Sequence, residues 1–212
     1  MRFIGITGGV GAGKSAILSY LAKKPNTKVL LADEIAHQLM EPGTDCYKQI
    51  VAQFATEDIF GEQIFDAVTS EGESRPFDKG KLAQVIFSNS KKRKEMNAIV
   101  HPAVKEYVRR QYILEQEKGE IEVLVLEAAL LIEEEYDEIC DELWYIYTSE
   151  ENRRKRLKES RGYSDEKIDN IFKSQLSEEE FRASTQVTID NNGDLEDTMK
   201  QIEKALRRKA DE

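Results

Sequence analysis

The chain alternates short apolar runs with longer stretches in which apolar residues recur every three or four positions. Residues 3–7, 28–32, 121–126, 143–147 and 187–189 read as strands. The first four are mostly β-branched, aromatic and leucine residues without clean alternation, the pattern of strands covered on both faces. Helical patterns separate them, which predicts parallel strands joined by right-handed crossovers. Over residues 16–23, Ile17, Leu18 and Leu21 share one side, so this helix is expected to pack on the sheet. Leu195, Met199, Ile202 and Leu206 form a similar stripe in a last helix, with Asp194 as its N-cap.

Two stretches exceed what a crossover requires. The first, between the second and third strands, holds about ninety residues. Pro42-Gly43 punctuates its start, and the polar residues 69–76 read as an exposed loop. Asp78 is placed to cap a helix carrying Leu82, Val85 and Ile86. A helical pattern then runs from about residue 89 to 117, with Pro102 either starting a new helix or kinking the old one. This insertion is expected to be a helical subdomain. The second stretch, residues 150–175, is very polar and carries Arg153, Arg154, Arg156 and Arg161. It reads as a mobile flap rather than core.

Composition narrows the partners. A chain of 212 residues makes one large domain, or a core with inserted subdomains. The formal net charge of −10 argues against long-range attraction to nucleic acid or an anionic membrane, so phosphate binding must come from local cations. Cys46 and Cys140 lie far apart without a paired motif, which suits a reducing cytoplasm and argues against a cysteine-built metal site. With His37 and His101 as its only histidines, the chain lacks a histidine-rich zinc centre. A strand begins within the first three residues, leaving no room for a signal peptide. The longest apolar run, residues 123–132, is interrupted by Glu127 and is too short to span a bilayer.

The chemistry starts directly after the first strand. Gly8-Gly9-Val10-Gly11-Ala12-Gly13-Lys14-Ser15 fits the phosphate-binding loop, in which two glycines flank four residues and Lys and Ser follow. The glycines let backbone N–H groups turn inward around a polyphosphate, and the next helix presents its positive end. Gly9, Gly11, Ala12, Gly13, Lys14, Ser15 and Ala16 would line this cradle, Lys14 adding a mobile cation and Ser15 a hydroxyl for Mg²⁺. A chance glycine-rich turn fits less well with a strand before and an amphipathic helix after. A dinucleotide fingerprint fails because its third glycine would fall on Lys14. A nucleoside triphosphate is therefore the expected ligand.

Further candidates stand at strand ends and in the insertions. Asp33 follows the second strand, where it can face the γ-phosphate and take a substrate proton, or equally cap the helix over residues 35–40. Glu127 closes the third strand, as a partner of the Mg²⁺ shell or substrate or as a solvated strand end. The arginines of residues 150–175 suit a clamp on a transferring phosphoryl group, although any one of them also fits a charged surface helix. Lys91-Lys92-Arg93-Lys94 reads as a solvated helix face, and His101 either reaches a substrate group or packs as a capping histidine. Asp58-Ile59-Phe60-Gly61 matches a short GTPase pattern but closes no apolar strand, and no Asn-Lys-x-Asp guanine reader accompanies it.

Taken together these pieces resemble the dephospho-CoA kinase family. The matching segments are Ile4-Gly5-Ile6-Thr7 with the loop through Ser15; Ala32-Asp33-Glu34-Ile35-Ala36-His37 followed by Glu41-Pro42-Gly43; Met96-Asn97-Ala98-Ile99-Val100-His101-Pro102; Leu130-Leu131; Arg156-Leu157; Gln175; and Ile189-Asp190-Asn191-Asn192-Gly193. They are collinear and span almost the whole chain. The resemblance implies ATP-dependent, Mg²⁺-assisted phosphorylation of the ribose 3′-hydroxyl of dephospho-CoA. It implies Asp33 as base, Lys14 as γ-phosphate cation, Ser15 as metal ligand and Arg156 as lid arginine, with Asp33, His101, Glu127 and Leu130 contacting the acceptor.

The implied architecture is α/β, a three-layer P-loop NTPase fold with a parallel five-stranded sheet, a helical substrate-binding insertion and an arginine-rich lid. Residues 1–33, 119–149 and 180–212 would form the nucleotide core, 34–118 the acceptor-binding insertion and 150–179 the lid. A cytoplasmic monomer with no nucleic-acid or membrane partner is expected. The chain departs from the family pattern at Leu31, where an acidic residue is usual, and at Ala129, where proline is usual. Ser160 stands where a second lid arginine is expected, with Arg161 beside it, and Ser184-Thr185 replaces a usual Ala-Asp. The competing readings are a kinase for another small acceptor and a regulatory nucleotide switch; the absent guanine reader argues against the switch.

Overall fold

The computed structural model describes residues 1–54 and 76–208. The Asp58-Ile59-Phe60-Gly61 pattern and nearly all of the polar stretch 69–76 lie outside the described residues. In chain order the elements are β1 (Arg2–Thr7), α1 (Lys14–Leu21), β2 (Thr27–Leu31), α2 (Ala32–Leu39), α3 (Asp45–Phe54), α4 (Lys79–Ser88), α5 (Ser90–Lys118) and β3 (Val123–Glu127). A 3₁₀ turn at Tyr136–Glu138 precedes β4 (Glu142–Tyr147), α6 (Glu150–Arg161), α7 (Asp165–Lys173), α8 (Glu178–Ala183), β5 (Val187–Asp190) and α9 (Leu195–Arg207). The chain divides into two compact units, Met1–Leu31 with Tyr112–Glu212 and, separately, Ala32–Gln111.

The first unit is built on a five-stranded sheet of order β2-β3-β1-β4-β5, parallel throughout. One face carries Ile4, Ile6, Val125, Trp144, Ile146, Val187 and Ile189 against Ile17, Leu18 and Leu21 of α1 and Ile202 and Ala205 of α9. On the other face Phe3 stacks on Tyr112 at 5.2 Å and Tyr145 on Phe181 at 4.7 Å. Both faces are therefore covered, which is why the strands read as apolar runs rather than alternating ones. Ile6 and Leu31 are both register partners of Glu127, so β1, β2 and β3 finish at one level of the carboxyl edge.

The expected strands are all present, with shifted ends. Ala32 opens α2 instead of closing β2, and β3 starts at Val123 and runs on through Glu127. In α9 the buried line is Thr198, Ile202 and Ala205, whereas Leu195, in phase with them but in the first turn, remains 50% exposed. Asp194 takes the N-cap position, but its side chain accepts no capping bond; its backbone carbonyl receives the Asp197 and Thr198 N–H groups instead. The polar flap expected at 150–175 is helical and anchored: Leu157 of α6 and Ile168 of α7 are buried in the core. Polarity misleads there because these short helices each commit only one narrow face.

The second unit is helical. Tyr47 and Phe77 pack at 4.9 Å, and Asp78 caps α4 through a bond from the Lys81 N–H, as expected. α5 continues through Pro102 as one helix. The carbonyl that loses its helical donor there belongs to Ala98, an exposed residue whose oxygen water can satisfy. Lys92 is not on a solvated face: it is buried, with its Nζ 5.2 Å above the Phe54 ring and 3.3 Å from Glu95. It lies four residues before buried Met96 and so falls on the inward stripe with Val100, Val104 and Val108.

Candidate functional site

Strands β1, β3, β4 and β5 deliver the loop and its surroundings to the carboxyl edge of the sheet, where open α/β folds gather ligands. The loop leaves β1 at Thr7 and enters α1 at Lys14, so Lys14, exposed Ser15 and exposed Ala16 occupy the first helical turn. Gly13 has φ 87°, a left-handed conformation that disfavours any side chain, and a Cβ there would also collide with the Asn191 carboxamide.

The loop is held from behind. The carbonyl of buried Ala12 accepts from Asn191 Nδ2 at 2.7 Å and from Arg156 Nη1 at 3.3 Å, with the Thr148 hydroxyl 3.0 Å away. Arg156 Nη2 also donates to the Asn191 carbonyl at 2.8 Å. The Asn191 side chain is fixed in turn, because its Oδ1 accepts from the buried Thr198 hydroxyl at 3.0 Å. Pulling the Ala12 carbonyl to the rear turns the Gly13 N–H the opposite way, toward the mouth of the loop. Fixed donors of this kind stabilise a polyphosphate without reorganising to meet it.

Lys14 sits across the loop opening, its Nζ donating to the Gly8 carbonyl at 2.6 Å and lying 3.7 Å from the Glu127 carboxylate. Leu130 is 41% exposed in the turn that follows β3. The four arginines of 150–161 do not act alike. Arg153 and Arg156 reach loop backbone, whereas Arg154 bonds to Glu150, Asp165 and Asp169, and Arg161 is exposed beside Tyr163. Ser160 donates back to the Arg156 carbonyl at 2.6 Å.

In the helical unit, Asp33 is exposed in the first turn of α2, one residue inside the helix, so it is not the N-cap that its position after β2 allowed. His101 lies half-buried in α5, directly before Pro102. The loop residues, Lys14, Glu127, Leu130 and Arg156 thus belong to the sheet unit, and Asp33 and His101 to the helical one.

Asn191, Thr148 and Gln175 were not singled out as site residues by sequence reasoning, and Arg153 stood only among four arginines suited to a phosphate clamp. Asn191 and Gln175 stood inside the matching family segments. Thr148 is a polar residue closing an apolar strand, a position that favours a specific bond. Nothing in the sequence separated Arg153 from its neighbours.

A parallel sheet of this order, with a glycine loop, Lys and Ser at the end of its first strand, defines a P-loop kinase of the α/β class. The family model described as dephospho-CoA kinase matches residues 2–197, and the chain belongs to that family. The chain is 34% identical to the dephospho-CoA kinase of Shouchella clausii over 209 residues, covering 99% of each. It is 34% identical to that of Arabidopsis thaliana over 206 residues, covering 97% of this chain and 83% of the relative. Among solved structures it is similar to TT1252 from Thermus thermophilus, with TM-score 0.69, 27% identity and coverage of 97% and 96%. The fold is also that of dephospho-CoA kinase from Campylobacter jejuni, with TM-score 0.67, 20% identity and coverage of 98% and 96%.

Proposed function

We propose that this chain transfers the γ-phosphoryl group of ATP to the ribose 3′-hydroxyl of dephospho-CoA, giving coenzyme A and ADP. The observation that carries this reading is the family match across residues 2–197, a range in which the loop, Asp33 and Asn191 all fall. Loop N–H groups and Lys14 bind the β- and γ-phosphates, Lys14 exchanging the Gly8 carbonyl for a phosphate oxygen. Asp33 accepts the proton of the 3′-hydroxyl while that oxygen bonds to phosphorus and the bridge to the β-phosphate breaks. His101, Glu127 and Leu130 contact the acceptor. Arg156, on exchanging the Ala12 and Asn191 carbonyls that it braces for the transferring group, supplies positive charge there; residues 150–179 act as a lid, exclude water and favour the alcohol over hydrolysis.

Mg²⁺ suits the donors available. Exposed Ser15 offers a hydroxyl, and Glu127, 3.7 Å from the Lys14 ammonium, offers a carboxylate, both hard oxygen ligands. When bound, the ion would supply positive charge that neutralises the charge developing on the phosphates. Residues 1–33, 119–149 and 180–212 serve the nucleotide and residues 34–118 the acceptor, in a monomeric cytoplasmic enzyme.

The test mixes purified protein with ATP, Mg²⁺ and dephospho-CoA and separates the products chromatographically. Equimolar ADP and coenzyme A are expected. ADP formed at the same rate without acceptor, or product from a different acceptor alone, would overturn the assignment.

A further inference from the structure

Two side chains, Arg153 of α6 and Gln175 just after α7, converge on Val10 of the loop. Arg153 Nε donates to the Val10 carbonyl at 2.9 Å, and Arg153 Nη2 donates to Gln175 Oε1 at 2.5 Å. The same Gln175 oxygen accepts from the Val10 N–H at 3.3 Å, which closes a ring of bonds around Val10. The guanidinium lies 4.3 Å from the centre of the Phe172 ring, and it fills the space where a side chain on Gly9 would stand.

We propose that Arg153 is a positioning residue for ATP: with Gln175 it locks both polar backbone groups of Val10 and so fixes the tip of the phosphate loop. The inference rests on the nucleotide-binding part of the proposed function and gives Arg153 a role different from the phosphoryl clamp expected of the arginine group. Arg153 does for the tip what Arg156 and Asn191 do for the Ala12 carbonyl. It also ties α6 and, through Gln175 and Phe172, the end of α7 to the tip of the loop. The task suits arginine. Its planar fork donates from Nε and Nη2 at once while its face stacks on an aromatic ring, which a lysine ammonium cannot reproduce.

The test measures the affinity of a non-hydrolysable ATP analogue with Mg²⁺, without acceptor, for the wild type, Arg153→Lys, Arg153→Ala, Gln175→Leu and the Arg153→Ala/Gln175→Leu double variant. Melting temperatures are recorded alongside, and KM for ATP and kcat in the complete reaction. Both Arg153 variants should weaken the analogue about ten- to hundredfold, the scale of a lost charged hydrogen bond. KM for ATP should rise by more than kcat falls. The double variant should be no weaker than the worse single one, since both changes break the same ring. Wild-type affinity in Arg153→Lys would show that charge alone matters and would overturn the proposal. So would additive losses, or lowered melting temperatures with unchanged affinity. Failure of the wild type to bind the analogue would overturn this inference and the proposed function together, whereas analogue binding without coenzyme A formation would overturn only the acceptor assignment.

Discussion

In the sheet unit the phosphate loop is held by residues far away in sequence: Asn191, Thr148 and Arg156 surround the Ala12 carbonyl, and Arg153 and Gln175 take both polar groups of Val10. In the helical unit Asp33 is exposed in the first turn of α2, placed by the helix that carries it. The contrast follows from the two jobs proposed for them. Binding a polyanion rewards dipoles fixed in advance, because dipoles that must reorganise lose much of what they gain. Receiving a proton requires access to an alcohol that arrives only with the acceptor. Rigid support therefore belongs at the loop, and access at the carboxylate.

The largest break should come from Lys14→Ala, which removes the ammonium lying across the loop opening; kcat/KM should fall about 10³-fold in the steady-state assay. Gly13→Ala forces a side chain into a left-handed backbone and against Asn191. Affinity for an ATP analogue should drop about a hundredfold, as expected when a binding group is displaced by an ångström. Asn191→Ala strips a donor from the Ala12 carbonyl and leaves the buried Thr198 hydroxyl without that acceptor. KM for ATP should rise about tenfold and unfolding in denaturant should show a loss of about 1–3 kcal/mol. Unchanged KM there would mean that the rear wall does not orient the loop.

The smallest effect compares the units directly. Burial pushes the Cys140 thiol up to about 12, with Asp141 and Asp137 adding to it, and raises the Cys46 thiol of the helical unit by burial as well. A thiol whose folded pKa exceeds its unfolded value stays protonated as the pH rises past the unfolded one, so both should resist alkylation at pH 8.5. Mass spectrometry should find Cys140 labelled more slowly than Cys46. The reverse order would show that access to the thiol, and not its raised pKa, sets the labelling rate.

Much of this was legible in the sequence, for identifiable reasons. A strand covered on both faces must be apolar at every position, so β1 to β4 announce themselves. A phosphate loop needs glycines, Lys and Ser at fixed spacing because backbone geometry demands it, and no distant residue is required to recognise it. The rear wall was hidden for the opposite reason. Asn191 meets Ala12 across 179 residues, and a single sequence carries no record of such pairings. Arg153, Arg154 and Arg156 look alike in a charged run; only the buried position of Leu157 shows which side of α6 faces inward. Lys92 was misjudged by its charge although its spacing from Met96 placed it on the inward stripe. Asp33 stands at the start of a helix, as expected, but two positions past the cap, a difference below what pattern can resolve.

The proposed reaction divides the labour, the loop binding ATP and Asp33 serving the transfer alone. Asp33→Asn separates the two, since it keeps the shape of the side chain and removes its ability to take a proton. Analogue affinity and single-turnover formation of coenzyme A should be measured on the same preparation. Affinity should stay within about twofold of the wild type and transfer should slow about 10²–10⁴-fold. Transfer at the wild-type rate, or a loss of ATP affinity matching the loss of rate, would contradict that division of labour.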